Sequence, residues 1–450
     1  MKSLKLSQIV AAVSGRLYSY DSNIEVNSVS TDTRKDCFGS LFVPIHGANF
    51  DGHSFILSAF NKGAVCALSE KVLNTNKPYI LVNSTKDALL DLARYYKNLF
   101  NVKVVAITGS SGKTTTKDMI ASVLAEKYNV VKTEGNLNNE IGLPLTVFDT
   151  NADTEVLVLE MGMNNFNEIS RLSRVGEPDI CVITNIGTSH IDNLGSREGI
   201  FKAKSEIFDY MKKDGIAILN ADDDKLITLS NREFIKHYIS LDKKIDCFGY
   251  DLESIGLDGL SFKVDFTGKK YNINLNYPGK FMAYNAMSAI VCGNILGLSK
   301  EDIETGLSKF TSSKDRMKIQ TSNSGMKVIN DVYNANPHSM TEALLVLSQA
   351  SGKKAAIIGD MFGLGEHSER LHIEVAQKIK NLNIDIIICI GKYTSYIYNI
   401  LSESGKTNIH HFETKESFLN NGLELLESVD SVLVKASRGM EFEKIVEVLR

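Results

Sequence analysis

Apolar residues recur along this chain in short continuous runs, separated by amphipathic or polar stretches. From Val102 onward the runs are typical of buried parallel strands, alternating with helices or longer excursions, as in a sheet covered on both faces. The predicted strands are Val104–Thr108, Val156–Glu160, Ile180–Asn185 and Ile216–Asn220. A second series begins near residue 311 and indicates a Rossmann-like arrangement. Its runs are Met326–Asp331, Ala355–Gly359, Ile384–Ile390 and Ser431–Lys435.

The first hundred residues have a different pattern. Short strands, such as Ser40–Pro44, are mixed with a helix-like stretch at Lys86–Leu99. We therefore predict an α/β protein of three domains: a small α/β domain over residues 1–98, a central P-loop-type domain with a parallel sheet over 99–310, and a C-terminal Rossmann-like domain over 311–450. The length of 450 residues agrees with several domains, since one domain usually has about 100 to 200 residues.

The composition is that of an ordinary globular protein, with 43% hydrophobic and 23% charged residues. A formal net charge of −4 argues against nucleic-acid binding, which needs a surplus of lysine and arginine. The six cysteines are scattered, without the paired spacing of zinc or redox sites. No apolar stretch is long enough to cross a bilayer, so we expect a cytoplasmic protein without membrane insertion.

A phosphate-binding loop is predicted where the first central strand ends. Thr108–Thr115 reads Thr-Gly-Ser-Ser-Gly-Lys-Thr-Thr and leads into a helix-like segment. Glycine N–H groups can surround phosphate oxygens, Lys113 supplies positive charge, and the Thr114 hydroxyl can reach Mg²⁺. Ile107 occupies the position of the usual first glycine, so the loop is a shortened form; an ordinary turn before a helix is the alternative. The predicted ATP contacts here are Gly109, Ser110, Ser111, Gly112, Lys113, Thr114 and Thr115.

Two strand ends beyond the loop carry candidate metal ligands. Glu160 ends one predicted strand, and His190 follows the next. Ligands in open α/β sheets collect at the carboxyl ends of the strands, so both side chains should face the ATP loop. Mg²⁺ prefers oxygen donors, which suits Glu160 and makes His190 a less usual ligand. Taken alone, His190 would more often be an ordinary loop histidine.

A helix predicted from Glu198 to Met211 carries a lysine on its apolar face. Lys204 falls within the stripe, whereas Lys202 projects from the opposite side. Burial lowers the pKa of a lysine and favours the neutral amine, which can do chemistry. A lysine that extends to solvent along its apolar stem explains the pattern equally well. The apolar stripe consists of Ile200, Ala203, Ile207 and Met211.

Together these residues resemble the Mur ligase superfamily of ATP-dependent amide-forming enzymes, over nearly the whole chain. Members share the short loop, a metal-binding Glu and His that match Glu160 and His190, and mostly a lysine modified by CO₂ to a carbamate, which Lys204 matches. The resemblance implies a metal site of Thr114, Glu160, His190 and carbamylated Lys204. The implied catalytic residues are Lys113, Lys204, Glu160, His190 and Arg316.

Within that family, the third segment resembles the enzymes that add D-alanyl-D-alanine to UDP-N-acetylmuramoyl-tripeptide. The motifs are Asp331–Pro337, Gly359–Met361 and Lys435–Gly439. The resemblance implies that Arg316 reaches the phosphates of ATP, although a solvated surface arginine is equally plausible. Asn334 and Asn336 could simply shape the turn before the proline. The ATP contacts implied outside the loop are Asn285, Arg316 and Asp331.

The first segment resembles the family's UDP-sugar-binding region at Asp32-Thr33-Arg34 and at Asp51-Gly52-His53. The chain departs from the family pattern at Gly279–Met282, where Gly-Lys-Phe-Met replaces Gly-x-His-Asn and leaves Asn285 as the candidate adenine contact. The implied substrate contacts are Ser30, Arg34, Asp51, His53, Asn136, Asn138, Asn139, Asn334 and Asn336.

The resemblance implies a monomeric ligase that uses ATP and Mg²⁺ and works through an acyl phosphate. Its implied partners are UDP-N-acetylmuramoyl-tripeptide and D-alanyl-D-alanine. One alternative is a tripeptide-forming Mur ligase, which usually carries an Asp-Asn-Pro-Arg motif that this chain lacks. Another is a folylpolyglutamate synthase, which normally lacks a UDP-binding domain before the loop. A non-ligating ATP-binding switch is the third, and Glu160, His190 and Lys204 together argue against it.

Overall fold

The computed structural model describes residues 1–18, 21–47, 50–231, 233–312 and 316–450. Within them the strands are β1 Leu4–Lys5, β2 Arg16–Tyr18, β3 Glu25–Val26, β4 Ser28–Ser30, β5 Ser40–Phe42, β6 Cys66–Ser69, β7 Tyr79–Leu81, β8 Lys103–Thr108, β9 Val130–Lys132, β10 Val156–Glu160, β11 Ile180–Ile183, β12 Ile216–Asn220, β13 Ile235–Ser240, β14 Cys247–Ser254, β15 Leu260–Phe266, β16 Lys269–Leu275, β17 Lys318–Thr321, β18 Lys327–Asn330, β19 Lys354–Gly359, β20 Ile386–Ile390, β21 Ile409–Phe412 and β22 Ser431–Lys435.

The helices pack on the faces of these sheets. They are α1 Leu6–Val13, α2 Ile56–Asn61, α3 Thr85–Lys97, α4 Lys113–Leu124, α5 Gly142–Phe148, α6 Glu168–Gly176, α7 Ile191–Leu194, α8 Arg197–Ser205, α9 Phe281–Ile295, α10 Lys300–Ser308, α11 Pro337–Ser348, α12 Ser368–Ile379, α13 Thr394–Glu403, α14 Lys415–Asn421 and α15 Glu443–Val448. No helix in the described ranges combines the length and the apolar character that crossing a membrane requires.

The central sheet has nine strands in the order β16-β15-β14-β13-β12-β11-β8-β10-β9. From β9 to β14 neighbouring strands run parallel, and the four strands predicted here are confirmed as β8, β10, β11 and β12. Their carboxyl ends meet at one edge, which collects Thr108 and Glu160 with the residues that follow them. Strands β14 to β16 are antiparallel and were not predicted from the apolar runs.

The other two main sheets flank the central one in sequence. The first has five strands in the order β2-β7-β6-β5-β4, and the last has six in the order β17-β18-β22-β19-β20-β21. In the last sheet only β17 is antiparallel to its neighbour, and the four predicted strands are confirmed as β18, β19, β20 and β22. Each main sheet lies within one predicted segment; the exact domain borders stay a prediction.

Helix α3 joins the first segment to the central one. It packs against α5 and α6, and its apolar face belongs to a buried cluster that continues into the central sheet. At its last turn the Lys97 ammonium lies 2.7 Å from a carboxylate oxygen of Glu177, and Arg94 pairs with the same carboxylate. This helix therefore fixes the first sheet to the central domain by both apolar packing and ion pairs.

Candidate active site

At its first residue, Gly109, the loop between β8 and α4 has a backbone conformation that only glycine adopts without strain. Gly109 has φ +151°, and a β-carbon there would lie 1.8 Å from the Thr184 hydroxyl oxygen. Gly112 has φ +78° at the N-terminus of α4. The Ser111 N–H donates to the Asn185 side-chain oxygen at 3.0 Å, so the strand end of β11 holds the loop in place. These features fit a phosphate-binding loop at a helix N-terminus.

Lys113 is the first residue of the twelve-residue helix α4. Its ammonium donates to the Gly109 carbonyl at 2.9 Å, so the side chain folds back over the loop. Removal from water lowers the pKa of Lys113, the nearby Glu160 carboxylate opposes that shift, and Arg316 adds to it. The lysine therefore lies in a desolvated site between one carboxylate and a second cation.

Glu160, at the end of β10, is a buried carboxylate with neutral partners only. It is 1% exposed and accepts hydrogen bonds at 2.7 Å from the Thr114 hydroxyl and from the Asn138 amide. Its backbone N–H donates to the Thr133 hydroxyl at 3.0 Å. No residue in the described part of the chain forms an ion pair with it. A buried carboxylate beside a threonine hydroxyl is an oxygen donor set suited to Mg²⁺.

Lys204 lies on the apolar face of α8, as predicted, and is 1% exposed. The alternative of a side chain extended to solvent is therefore wrong. Among the residues that the structure describes, none gives its ammonium a hydrogen bond or an ion pair. Burial, and secondarily the charge of Lys113, hold the pKa of Lys204 well below its usual value. Lys202 is exposed and carries its ammonium 5.7 Å from the Phe166 ring.

Helix α8 is shorter than predicted. It ends at Ser205, and a 3-10 turn over Glu206–Phe208 follows. Ile207 is still buried, but Met211 lies beyond both elements and is only partly buried. The apolar stripe is therefore right for its first three members, and the helical spacing fails at the fourth because the helix has ended.

His190 is the N-cap residue of α7 and has φ +64°. Burial lowers its pKa to about 4, with further lowering by the charges of Lys113 and Lys204. The imidazole is therefore neutral near pH 7 and has a nitrogen lone pair available for a metal or a proton. It lines the same cavity as Glu160.

The C-terminal segment contacts the phosphate loop and the strand end beside it. The Asn336 amide donates to the Ser189 hydroxyl at 3.0 Å, and a ring nitrogen of His338 lies 3.4 Å from the Ser111 hydroxyl. The Arg316 guanidinium stacks on Tyr333, with its carbon 3.9 Å from the ring centroid. The site is thus formed jointly by the central and C-terminal segments.

A single cavity of about 860 Å³ unites most of the predicted catalytic and nucleotide contacts. Gly109 and Thr114 do not line it, although Thr114 bonds to Glu160 directly beneath. The Asn285 side-chain oxygen is bonded to the Thr116 hydroxyl, which ties α9 to α4. The predicted residues that line the cavity are Ser110, Ser111, Gly112, Lys113, Thr115, Asn138, Asn139, Glu160, His190, Lys204, Asn285, Arg316, Asp331, Asn334 and Asn336.

Five predicted substrate residues lie outside the lining of this cavity: Ser30, Arg34, Asp51, His53 and Asn136. The Arg34 guanidinium pairs with Asp32 at 2.8 Å, and its side chain is 89% exposed. The buried His53 ring lies 2.7 Å from the Asp51 carboxylate and accepts the Glu70 N–H at 3.0 Å through its other nitrogen. His53 therefore supports its own turn, and the role of the five as a UDP-sugar site stays a prediction.

Several cavity residues were not predicted. Thr184 and Asn185 hold the phosphate loop, and their position just after β11 is a signal that was available in the sequence. Lys435 is 2% exposed and lies 2.5 Å from the Asp331 carboxylate. Lys435 belongs to a predicted strand and to a motif but was given no role, although a lysine that ends an otherwise apolar strand is itself a signal. His338 gives no such signal, because only the packing of α11 brings it to the loop.

Two family matches and several relatives agree with this geometry. Residues 107–293 match the Mur ligase middle domain, and residues 315–438 match the Mur ligase, glutamate ligase domain. The chain is 38% identical to a UDP-N-acetylmuramoyl-tripeptide--D-alanyl-D-alanine ligase of Bacillus subtilis, over 94% of this chain and 93% of that protein. This identity extends through all three predicted segments.

Solved structures of similar proteins have the same architecture. A crystal structure of MurF from Acinetobacter baumannii superimposes with a TM-score of 0.94 at 29% identity, covering 100% of this chain and 99% of that one. MurF ligase of Thermotoga maritima in complex with ADP gives a TM-score of 0.85 at 28% identity, covering 94% of this chain and 97% of that one. This chain therefore belongs to the Mur ligase family, among its UDP-N-acetylmuramoyl-tripeptide--D-alanyl-D-alanine ligases.

Proposed function

We propose that this protein joins D-alanyl-D-alanine to the terminal carboxylate of UDP-N-acetylmuramoyl-tripeptide, with the conversion of ATP to ADP and phosphate. The observation that carries the proposal is that Lys113, His190, Lys204 and the buried Glu160 carboxylate line one cavity beside a phosphate-binding loop. The relatives named for this activity are similar over almost the whole chain. The predicted cytoplasmic location and monomeric state remain predictions.

ATP binding is supported by the loop itself. Backbone N–H groups at the N-terminus of α4 and the Lys113 ammonium offer positive charge to the phosphates. The related Thermotoga maritima MurF was solved with ADP, and its chain matches this one over both segments that form the cavity. The Asn285 amide group, on the cavity wall near Gly112, is the proposed adenine contact.

The residues around Glu160 fit a magnesium ion. The carboxylate is buried without an ion pair among the described residues, and the Thr114 hydroxyl is its neighbour at 2.7 Å. Glu160, Thr114 and His190 would hold the metal, and Lys204 would join them as a carbamate. When bound, Mg²⁺ neutralises charge that develops on the phosphates.

Lys204 fits the proposed carbamate for three reasons. Its amine is buried, it has a strongly lowered pKa that favours the nucleophilic neutral form, and no carboxylate of the described residues pairs with it, while Lys113 lies near enough for its charge to act on it. Reaction of the neutral amine with CO₂ forms an N–C bond and releases one proton. The resulting carbamate carries a negative charge, which offsets the positive charge of the nearby Lys113.

The reaction begins when a carboxylate oxygen of the tripeptide attacks the terminal phosphorus of ATP, which gives an acyl phosphate and releases ADP. Lys113 and Arg316 stabilise the charge on the transferred phosphoryl group. The neutral amine of D-alanyl-D-alanine then attacks the acyl carbon. The tetrahedral intermediate collapses to the amide and phosphate, and the amine loses one proton. The chain supplies positioning and charge, and no covalent link to the protein is needed.

The acyl phosphate must be kept from water, and the C-terminal segment is suited to that task. Asn336 reaches Ser189, and His338 reaches Ser111, so the segment covers the phosphate loop and the loop that follows β11. The incoming dipeptide would enter between these segments, where Asn334 and Asn336 line the cavity. Closure of this kind excludes water and brings together groups from two domains.

The test is to incubate the purified protein with UDP-N-acetylmuramoyl-tripeptide, D-alanyl-D-alanine and Mg-ATP. Phosphate release and product mass are followed together, and each substrate is omitted in turn. We expect one phosphate per pentapeptide product, and loss of both signals in Lys113→Ala. Release of phosphate without the peptide substrates, or absence of a pentapeptide, refutes the proposed function. UDP-N-acetylmuramoyl-dipeptide with a diamino acid tests for a tripeptide-forming ligase.

A further inference from the structure

Tyr333 is a cavity residue whose aromatic ring supports a cation. It lies three residues after β18, and the Arg316 guanidinium stacks on its ring with 3.9 Å between the guanidinium carbon and the ring centroid. Arg438 lies near the same ring at 5.7 Å. A planar, weakly hydrated guanidinium is well suited to stacking on an aromatic face while its N–H groups remain available to a ligand.

The backbone beside Arg316 is held from the same loop. The Asp331 carboxylate accepts the Met317 N–H at 3.1 Å, and its other oxygen is paired with the buried Lys435. Met317 has φ +48°, a left-handed conformation that a methionine adopts only where its surroundings impose it. Asp331 therefore fixes the main chain at Met317, next to Arg316, and Tyr333 supports the Arg316 side chain.

Across the described ranges, no hydrogen bond or ion pair engages the N–H groups of the Arg316 guanidinium. Arg316 lines the cavity with Lys113 and the loop residues Ser110 and Gly112. Arg316 is near enough to Lys113 for its charge to act on that lysine. Two cations thus line the place where the loop would bind phosphate, and the Lys113 ammonium has N–H groups beyond the one bonded to Gly109.

We propose that Tyr333 is a positioning residue: its ring holds the Arg316 guanidinium at the phosphate loop, where the guanidinium binds the terminal phosphate of ATP. The inference rests on the proposed function for the identity of the nucleotide, and it adds the residue that aims the arginine. The hydroxyl of Tyr333 has no part in it. The stacked face of the ring is what matters, so phenylalanine can replace tyrosine and an aliphatic residue cannot.

The experiment compares Tyr333→Phe and Tyr333→Leu in binding to a non-hydrolysable ATP analogue and to ADP, both with magnesium. Only the first ligand carries the terminal phosphate. We expect Tyr333→Phe to bind both like the wild-type protein. Tyr333→Leu should bind the analogue about tenfold more weakly and bind ADP within about twofold of wild type. Tyr210→Leu, at an exposed tyrosine outside the cavity, controls for loss of a surface ring.

A double-variant cycle with Arg316→Ala separates positioning from a general structural role. If Tyr333 acts through the arginine, Tyr333→Leu has no further effect on analogue binding once Arg316 is removed. The inference is overturned if Tyr333→Leu binds the analogue like Tyr333→Phe, or if its affinity for ADP falls as much as its affinity for the analogue. It is also overturned if the double variant loses affinity by the product of the two single losses, because the two residues then act independently. Should Tyr333→Leu fail to fold, Tyr333→Gln is measured in its place. These binding measurements do not need ligase activity, so they decide this inference even where the ligation assay refutes the proposed function.

Discussion

Replacing Lys204 with methionine should abolish ligation and yet stabilise the protein. Methionine keeps an unbranched side chain in the same buried space and removes only the amine. Lys204 is 1% exposed, and the part of the chain that is described gives its amine no partner. Its lowered pKa shows that burial disfavours the ammonium, so near pH 7 Lys204→Met should unfold with a free energy higher by about 1.4 kcal/mol or more, the value of one pH unit.

The pH dependence of this gain has a definite sign. Burial holds the pKa of Lys204 well below the usual 10.5, so over the interval between the two values the unfolded chain binds a proton that the folded protein does not. Stability of the wild-type protein therefore rises with pH across that interval, by about 1.4 kcal/mol per unit. The advantage of Lys204→Met should shrink accordingly and vanish above 10.5, where both states hold a neutral amine.

The assay is chemical unfolding of both proteins in CO₂-depleted buffer with chelator, at several pH values, with Lys202→Met on the exposed face of α8 as the control. Bicarbonate with Mg²⁺ should then stabilise the wild-type protein and leave Lys204→Met unchanged, if the carbamate forms. Ligation by Lys202→Met should stay near wild type. A methionine variant that is less stable at pH 7, or that keeps its ligase activity, would refute the reasoning about this lysine.

Three further changes test other parts of the site and the fold. Glu160→Gln should keep the fold and lower the rate of ligation by roughly a thousandfold or more, because the site loses the charge that faces the proposed metal; steady-state phosphate release measures it. Gly109→Ala should abolish ADP binding in calorimetry, because the added carbon would lie 1.8 Å from the Thr184 hydroxyl. Gly135→Ala, at φ +55° and with nothing within 4 Å, introduces backbone strain without a clash and controls for the strain alone. For Glu177, burial favours a higher pKa, but the bonds from Lys97 and Arg94 outweigh it and lower the pKa to about 2 from 4.5. The stability it contributes is therefore full above pH 4.5 and lost as the pH falls towards 2, and Glu177→Gln should remove about 1–2 kcal/mol of that acid-dependent stability in unfolding titrations, after allowance for solvent screening.

The sequence predicts buried strands well where both faces of a strand are covered. Strands β8, β10, β11 and β12 are continuous apolar runs, and their observed ends lie within two residues of the predicted ones. Strands β15 and β16 are different, because burial alternates along them and the apolar-run criterion misses them. Their period of two was present in the sequence and would have indicated a sheet with one exposed face.

Some site residues can be predicted from their own stretch of sequence, whereas others depend on contacts between distant parts of the chain. Loop chemistry and strand-end position predict Lys113 and Glu160, since both follow from elements that are local in the chain. The bond between Asn336 and Ser189 joins residues 147 positions apart. No local pattern encodes that contact, because it depends on how α11 packs against the central domain. The family resemblance was needed to assign a role to the asparagine.

The arrangement of charge explains why such a site can persist in a folded protein. Lys113 and Arg316 line one cavity with Glu160, and the same lining contains further carboxylates, such as Asp222 and Asp331. Lys113 and Arg316 nevertheless lie close enough for the charge of Arg316 to lower the pKa of Lys113. Two like charges in a low-dielectric site repel one another. The phosphates of ATP are anionic, so their binding beside these two cations relieves that local repulsion. Ligands that bind only the folded protein also stabilise it in proportion to the logarithm of their concentration. The cost of holding Lys113 and Arg316 together is therefore recovered when the anionic phosphates bind between them and the loop.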